Sequence, residues 1–163
     1  MAKNKEEKTN VMRVLDQKKI AYTAHTYPHE EGVAVDGVTV AKSMGFDPAI
    51  VFKTLVARGA SKQYYVFDVP VAENLDLKKA AKAVGEKSIE MIHQKELLPL
   101  TGYVHGGCSP VGMKKLFPTV FHETAENLET MIVSAGKIGY QVELAPHDLA
   151  ALVRAKVADI IVE

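Results

Sequence analysis

The stretch Ile50-Val51-Phe52-Lys53-Thr54-Leu55-Val56-Ala57-Arg58 is rich in β-branched and apolar residues, which is typical of a strand. A second strand-like stretch runs from Tyr64 to Val71. The residues between them, Gly59 to Gln63, are mostly polar and favour a turn. The two stretches therefore predict a β-hairpin at the centre of the fold.

Helices are predicted on both sides of this hairpin, where a capping residue precedes apolar residues at helical spacing. They follow Thr9 or Asn10, Asp36 and Asp76, with Gly45 and Gly85 ending the second and third, and further helices are expected over 94–98 and 147–155. Short strands are expected over 20–27, 120–122, 131–134, 140–144 and 160–162. Because the two types interleave irregularly, we predict a mixed α/β, α+β-like domain around one curved, pseudo-barrel sheet with flanking helices.

The length and composition indicate one globular domain. The chain has 163 residues, 47% of them hydrophobic, and contains no apolar run of membrane-spanning length. We interpret residues 1–8 as a charged N-terminal lead-in and 9–163 as the domain. The one cysteine, Cys108, excludes an intramolecular disulfide, so a reducing cytoplasmic location is expected, with no membrane association.

The charge balance gives no overall attraction for nucleic acid, because 20 basic and 20 acidic residues cancel. RNA contact would have to rest on a local cluster of lysines. Two such clusters are Lys78, Lys79 and Lys82, and Lys114, Lys115 and Lys137. Composition alone favours the alternative that both are solvated faces.

Lys53 is the residue that departs most clearly from its surroundings. Strand alternation puts it on the same face as Val51, Leu55 and Ala57. A cation on an apolar face is costly unless it lines a pocket or meets an anion. The two interpretations left open are a pocket lysine that holds a phosphate or carboxylate, and a charged residue that protects an edge strand from aggregation.

A glycine-rich loop is the second candidate: Gly106-Gly107-Cys108-Ser109-Pro110-Val111-Gly112. Glycine lets the backbone approach a ligand closely, and its amides could stabilise a carbonyl oxygen that becomes negative during ester cleavage. The alternative is an ordinary tight connection. A third stretch, Ser134 to Gly139, could place the Ser134 hydroxyl in a pocket or be a plain hairpin turn.

Two other arrangements carry less weight. His105 and Cys108 are three residues apart, but catalytic Cys–His pairs are normally far apart in sequence, so Cys108 is expected to be a small apolar side chain under the loop. His25 and His29 would need a helix to share a face, and Pro28 excludes one. We therefore predict no metal site and no cofactor.

Together these segments resemble the YbaK/EbsC family, whose domain also occurs in bacterial prolyl-tRNA synthetases. The resemblance covers about Asn10 to Glu163. It rests on several short matches in the right order: His25-Thr26-Tyr27, Phe52-Lys53-Thr54-Leu55, Leu75 to Lys82, Val84-Gly85, Thr101-Gly102-Tyr103, Gly106-Gly107, Ser109-Pro110, Gly112, Lys114-Lys115, Val133-Ser134 and Gly136-Lys137.

The resemblance implies a trans-editing deacylase that removes cysteine from mischarged Cys-tRNA(Pro), by a lyase-type or hydrolase reaction. In the implied mechanism the substrate's own thiol attacks its ester and forms a cyclic thiolactone. The resemblance assigns Lys53 and Gly106 to catalysis, with Lys53 near the terminal adenosine and Gly106 near the carbonyl. Tyr27, Gly107, Ser109 and Ser134 are implied to bind substrate.

The implied partners are the acceptor end of mischarged tRNA and prolyl-tRNA synthetase in a ternary complex. Relatives often carry Phe-Gly-Asp-Glu where this chain has Val35-Asp36-Gly37-Val38, an aliphatic residue in place of Cys108, and a variable residue at Gln141. These departures bear on specificity. Two alternatives therefore remain: a deacylase for another amino acid such as alanine, and a non-catalytic binding or regulatory module.

Overall fold

The computed structural model describes residues 8–163, so most of the predicted lead-in over 1–8 lies outside the described residues. Five helices and eight strands follow in chain order: α1 Asn10–Gln17, β1 Thr23–Thr26, α2 Gly37–Ser43, β2 Phe52–Gly59, β3 Tyr64–Pro70, α3 Leu77–Val84, β4 Ile89–Met91, α4 Gln94–Thr101, β5 Thr119–His122, β6 Met131–Ser134, β7 Tyr140–Leu144, α5 Pro146–Val153 and β8 Lys156–Ala158. Two 3-10 turns, Pro48–Ile50 and Glu123–Asn127, complete them.

The predicted capping residues begin and end the helices as expected. The side chains of Thr9, Asp36 and Asp76 accept hydrogen bonds from backbone amides in the first turns of α1, α2 and α3. Gly85 ends α3 with φ +75°, a left-handed conformation that glycine adopts at little cost.

The predicted hairpin is confirmed and forms the middle of a five-stranded sheet in the order β4-β2-β3-β5-β8. β2 and β3 are antiparallel, with Thr54 opposite Asp68, and β5 and β8 add in parallel. A second, three-stranded sheet has the order β1-β7-β6. One isolated bridge, Val51 to Ile132, joins the two sheets. The mixed fold is as predicted, but the described residues form two sheets rather than one, and no closed barrel.

At the ends of the large sheet, one strand prediction was wrong and one strand was not predicted. The last strand is β8 rather than 160–162, where only an isolated bridge joins Ile161 to Leu75. β4 was missed altogether. Both strands have three residues, too few for an alternating pattern to stand out.

The main apolar core lies between the two sheets and under α1, α4 and α5, with Phe52, Val56, Phe121, Val133 and Val142 among its members. A smaller core packs α3 on the outer face of the large sheet, and a third joins α2 to the bridge between the sheets. Within residues 8–163 no helix is long and apolar enough to cross a bilayer. The junction of the sheets is where the candidate site lies.

Candidate functional site

A cavity of about 350 Å³ opens where β2 meets the second sheet, beside the segment that leads into α2. A volume of this order suits a small ligand or the end of a larger one. Lys53 and Thr54 of β2, Tyr27 after β1, Ser134 of β6 and Gln141 of β7 line it. Asp36, His105, Gly106 and Cys108 complete the polar part of its wall.

Four of the six predicted site residues therefore line one cavity: Tyr27, Lys53, Gly106 and Ser134. Gly107 and Ser109 are buried behind the wall. The Gly107 amide donates to the Val104 carbonyl (2.9 Å), and the Ser109 hydroxyl accepts from the Val111 amide (3.3 Å). These two residues shape the loop and do not face the cavity.

Lys53 is partly buried and reaches the cavity from β2. Burial lowers the pKa of its ammonium, and the negative charges of Asp36 and Glu73 partly oppose this effect. Among the described residues, no hydrogen bond or ion pair neutralises the ammonium. An unneutralised cation beside a cavity is available to an anionic ligand, which favours the pocket interpretation of Lys53.

The glycine loop packs directly against the turn that follows Ser134. A Cβ atom on Gly107 would lie 3.0 Å from the Ile138 amide nitrogen, so a larger residue would push the two backbones slightly apart. Gly106 has φ +91°, and a Cβ there would lie 2.7 Å from the Cβ of Ala34. Gly106 and Cys108 are the two residues of this loop that line the cavity, and neither amide has a hydrogen-bond partner in residues 8–163. Gly106 is the more exposed of the two, so its amide is accessible to a ligand.

Tyr27 and Ser134 form the side of the cavity built by the small sheet. Tyr27 is 5% exposed, and burial raises the pKa of its phenol. The Ser134 hydroxyl accepts from the Gly136 amide at 3.0 Å, which fixes the turn and leaves the hydroxyl proton for another acceptor. Gln141 lies opposite Ser134 in the strand register, and its Oε1 has no partner in the described residues.

Cys108 lies at the floor of this cavity and is 7% exposed. Burial raises the pKa of its thiol to about 12, and the nearby Asp68 carboxyl acts in the same direction. The thiol therefore stays protonated at neutral pH and is a poor nucleophile. This agrees with its predicted role as a small side chain under the loop. His105 lines the cavity from an exposed position.

Asp68 was not singled out from the sequence, although an acid within Val66-Phe67-Asp68-Val69 is as anomalous as Lys53. It is fully buried, its Oδ1 accepts a 2.5 Å hydrogen bond from the Thr54 hydroxyl, and its Oδ2 has no partner in the described residues. Burial raises the pKa of this carboxyl to about 7, while the Thr54 hydrogen bond opposes the rise.

We expect Asp68→Asn to be more stable than the unsubstituted protein at pH 8, and the difference to shrink towards pH 4. A carboxyl whose pKa rises on folding, here from 3.8 to about 7, supports stability when neutral and loses that support as the pH rises through 7. The difference between these two pKa values corresponds to at most about 4 kcal/mol of unfolding free energy. Urea unfolding at several pH values measures it, and identical pH profiles for the two proteins would contradict the burial argument.

The two predicted lysine clusters do not line the cavity. Lys79 pairs with Asp159 at 2.9 Å and with the carboxylate of Glu163 at 3.3 Å, so it serves the C-terminal segment. Lys114 donates to the Pro99 carbonyl, and Lys115 lies over the Phe117 ring. Residues 8–163 also bring together no group of three His, Cys, Asp or Glu side chains that could hold a metal ion.

Comparison with known proteins identifies the family to which the chain belongs. The sequence profile described as "Aminoacyl-tRNA editing domain" matches residues 32–152, a range that holds Lys53, Gly106, Ser134 and Gln141. The chain belongs to the aminoacyl-tRNA editing family. It is 45% identical over 161 residues, 98% of each chain, to EbsC of Enterococcus faecalis (strain ATCC 700802 / V583), a protein named as a Cys-tRNA(Pro)/Cys-tRNA(Cys) deacylase.

Solved structures support the editing-domain fold. A crystal structure described as a trans-editing enzyme for prolyl tRNA synthetase superposes with a TM-score of 0.80 at 24% identity, over 97% of this chain and 100% of that one. The crystal structure of a protein called APE2540 gives a TM-score of 0.82 at 19% identity, over 94% and 99% of the two chains. The family profile and the 45% identity to EbsC confirm the predicted resemblance to the YbaK/EbsC family and the activity class, an aminoacyl-tRNA editing enzyme.

Proposed function

We propose that this editing domain removes cysteine from Cys-tRNA(Pro), with the cavity holding the aminoacylated 3′ end of the tRNA. The 45% identity to EbsC over almost the whole chain carries the choice of cysteine as the amino acid. In this pose Lys53 meets the phosphate or ribose of the terminal adenosine, and Gly106 lies at the ester carbonyl. Tyr27 and Ser134 bind the substrate from the opposite wall, while Gly107 and Ser109 hold the loop.

The substrate thiol is the proposed nucleophile. The single cysteine of the chain has a thiol pKa of about 12 at the cavity floor, so it offers no thiolate at neutral pH. A cysteinyl ester brings its own thiol within reach of its carbonyl, and intramolecular attack needs orientation more than added reactivity. The sulfur bonds to the carbonyl carbon, the tRNA 3′ oxygen leaves, and a thiolactone is released.

The domain contributes to this step by orienting the substrate, stabilising the negative charge that develops on the carbonyl oxygen, and excluding water. The unpartnered Gly106 amide is suited to donate to the carbonyl oxygen as it becomes negative. Lys53 would hold the nucleotide end through charge-assisted hydrogen bonds. Together these contacts align the sulfur with the carbonyl carbon.

Prolyl-tRNA synthetase is the proposed partner in a ternary complex with tRNA. The chain has zero formal net charge, and its two lysine clusters do not line the cavity, so tRNA identity is more readily supplied by the synthetase. Because aminoacyl-tRNA is made and used in the cytoplasm, the proposed activity belongs there. Deacylation of Cys-tRNA(Pro) with and without the synthetase tests the partnership.

A panel of charged tRNAs tests the function. We expect multiple-turnover release of cysteine from Cys-tRNA(Pro), and slow release of serine from Ser-tRNA(Pro), because a hydroxyl is a poorer nucleophile than a thiol. Ala-tRNA(Pro) and Cys-tRNA(Cys) complete the panel. Fastest release of alanine would identify a deacylase of other specificity, and binding without turnover of any substrate would identify a binding module.

Cys108→Ala should retain deacylation within about threefold, because the thiol of Cys108 remains protonated and the substrate supplies its own. A modest loss of stability from the smaller side chain is expected in a closely packed core. Single-turnover rates and mass spectrometry of the protein during turnover measure the two predictions. A folded but inactive variant, or a cysteinyl adduct on Cys108, would contradict substrate-thiol attack.

A further inference from the structure

Asp68 and Thr54 are the buried polar pair that the mechanism above does not use. They are directly opposite each other on β3 and β2, and the Thr54 hydroxyl donates to Asp68 Oδ1 at 2.5 Å. Asp68 has no exposed surface, whereas Thr54 is partly buried and lines the cavity. A carboxyl in the apolar core is thus connected to the cavity through one hydroxyl group.

The packing around Asp68 makes a purely structural role costly. Phe121 of β5 lies opposite it in register on the other side, and its Oδ2 has no partner in residues 8–163. A buried polar oxygen without a partner lowers stability by about 1–3 kcal/mol. The carboxyl therefore lowers the stability of the fold at this position.

The direction of the hydrogen bond determines what Thr54 can do. Its one hydroxyl proton points to Asp68, so its oxygen lone pairs are left to accept from a donor in the cavity. The proposed substrate brings such a donor, the cysteinyl S–H. That thiol must lose its proton before the sulfur can attack, since the thiolate is the nucleophile.

We propose that Thr54 and Asp68 form a proton relay that activates the substrate thiol, with Asp68 acting as a positioning and proton-accepting residue through Thr54. This inference rests on the proposed function. The substrate S–H gives its proton to Thr54 Oγ1 as the Thr54 hydroxyl proton passes to Asp68 Oδ1. The sulfur then bonds to its own ester carbonyl carbon, and the bond from that carbon to the tRNA 3′ oxygen breaks.

The proton balance closes without any further reactant. Asp68 returns its proton to Thr54, and Thr54 passes one to the departing 3′ oxygen, which lies on the same carbon as the sulfur. The products are thiolactone and tRNA with a free 3′ hydroxyl. A base with a pKa near the working pH is the most effective partner for such a transfer, and the Asp68 carboxyl titrates near pH 7.

Other titratable groups near the relay are few. Cys108 faces Asp68 from the glycine loop, and its high pKa keeps it neutral over the range of interest. Tyr27, Asp36, Lys53 and His105 are the remaining titratable side chains at the cavity wall. A pH profile of the wild type alone would mix their contributions, so the test compares variants.

The relay is tested by comparing wild type with Asp68→Asn, Thr54→Val and Thr54→Ser. The measured quantity is the single-turnover rate of cysteine release from Cys-tRNA(Pro) between pH 5.5 and 9, corrected for spontaneous hydrolysis. We expect the wild-type rate to rise and level off near pH 7. Asp68→Asn and Thr54→Val should be about a hundredfold slower at saturating enzyme, with pH profiles that follow ionisation of the substrate thiol itself. Thr54→Ser should restore most of the rate.

Tyr65→Phe is the matched control. It removes a hydroxyl from the same strand β3 whose hydrogen bond, to Glu86, lies away from the cavity. It should keep the wild-type rate and pH profile. Half-saturating enzyme concentrations should change by less than about threefold in all variants, because a relay affects the reaction step more than binding.

The outcomes separate this inference from the proposed function. If wild type releases cysteine but Asp68→Asn keeps its rate and pH profile, the relay is wrong and the function stands. The same follows if Thr54→Val matches wild type. If the wild type releases no cysteine above background, the proposed function fails and the relay with it.

Discussion

Replacing Lys53 by Ala or Met should slow cysteine release by about 10- to 150-fold while the protein stays folded. The expected loss corresponds to about 1.5–3 kcal/mol, the usual value of a hydrogen bond to a charged group. Lys53 is the lysine that lines the cavity, and burial already lowers the pKa of its ammonium. The ammonium is therefore partly desolvated and regains favourable contacts when an anionic ligand enters.

The methionine variant separates charge from packing. Met retains most of the lysine stem, so Lys53→Met should match Lys53→Ala in rate and be at least as stable as wild type, since an incompletely neutralised cation is removed from a partly buried site. Lys42→Ala removes an exposed lysine from nearby α2 and serves as the control. Wild-type turnover by folded Lys53→Met would remove Lys53 from the site.

If Lys53 contacts the nucleotide, the effect of its replacement on substrate binding should also depend on salt concentration. A contact to a phosphate releases bound counterions, so wild-type binding should weaken with added salt more steeply than binding by Lys53→Met. Half-saturating enzyme concentrations at 50 and 200 mM salt measure the difference. Equal slopes would indicate that Lys53 acts on the ester end instead.

Sequence rules that depend on neighbouring residues predicted the elements of the fold that form from contacts close in the chain. The hairpin, the capped helices and the anomalous Lys53 follow from alternation, capping and the cost of an unpaired cation, all of which involve neighbours in sequence. The short strands β4 and β8 form because Ile89 to Met91 and Lys156 to Ala158 meet partners that are distant in the chain. The same is true of the bridge from Val51 to Ile132.

The cavity itself could be predicted only in part. Tyr27, Lys53, Gly106 and Ser134 come from four separate segments, and the family resemblance, not their spacing, grouped them. The resemblance placed Gly107 and Ser109 in the substrate pocket together with Gly106. They differ because the Gly107 amide and the Ser109 hydroxyl are used inside the loop, which is a property of tertiary packing.

Gly106→Ala should reduce the single-turnover rate by about a hundredfold, as expected when reacting groups are displaced by about 1 Å. Two features of Gly106 contribute: its φ of +91° suits glycine, and an added Cβ would lie 2.7 Å from the Cβ of Ala34. Ala34 is exposed and lies in the segment that lines the cavity, so it can move, and the movement would deform the wall where the ester carbonyl is expected.

The Gly102→Ala variant distinguishes two possible causes of the Gly106→Ala effect, the steric clash of the added Cβ and the strain of a left-handed backbone. Gly102 precedes the same loop with φ +89°, but a Cβ there would meet only the flexible Lys114 side chain, at 3.4 Å. Both variants should lose about 1–2 kcal/mol of stability from the left-handed conformation, whereas only Gly106→Ala should lose activity. Thermal melts and single-turnover rates of the two proteins make the comparison. Equal rates for them would mean that the contact between Gly106 and Ala34 does not shape the active cavity.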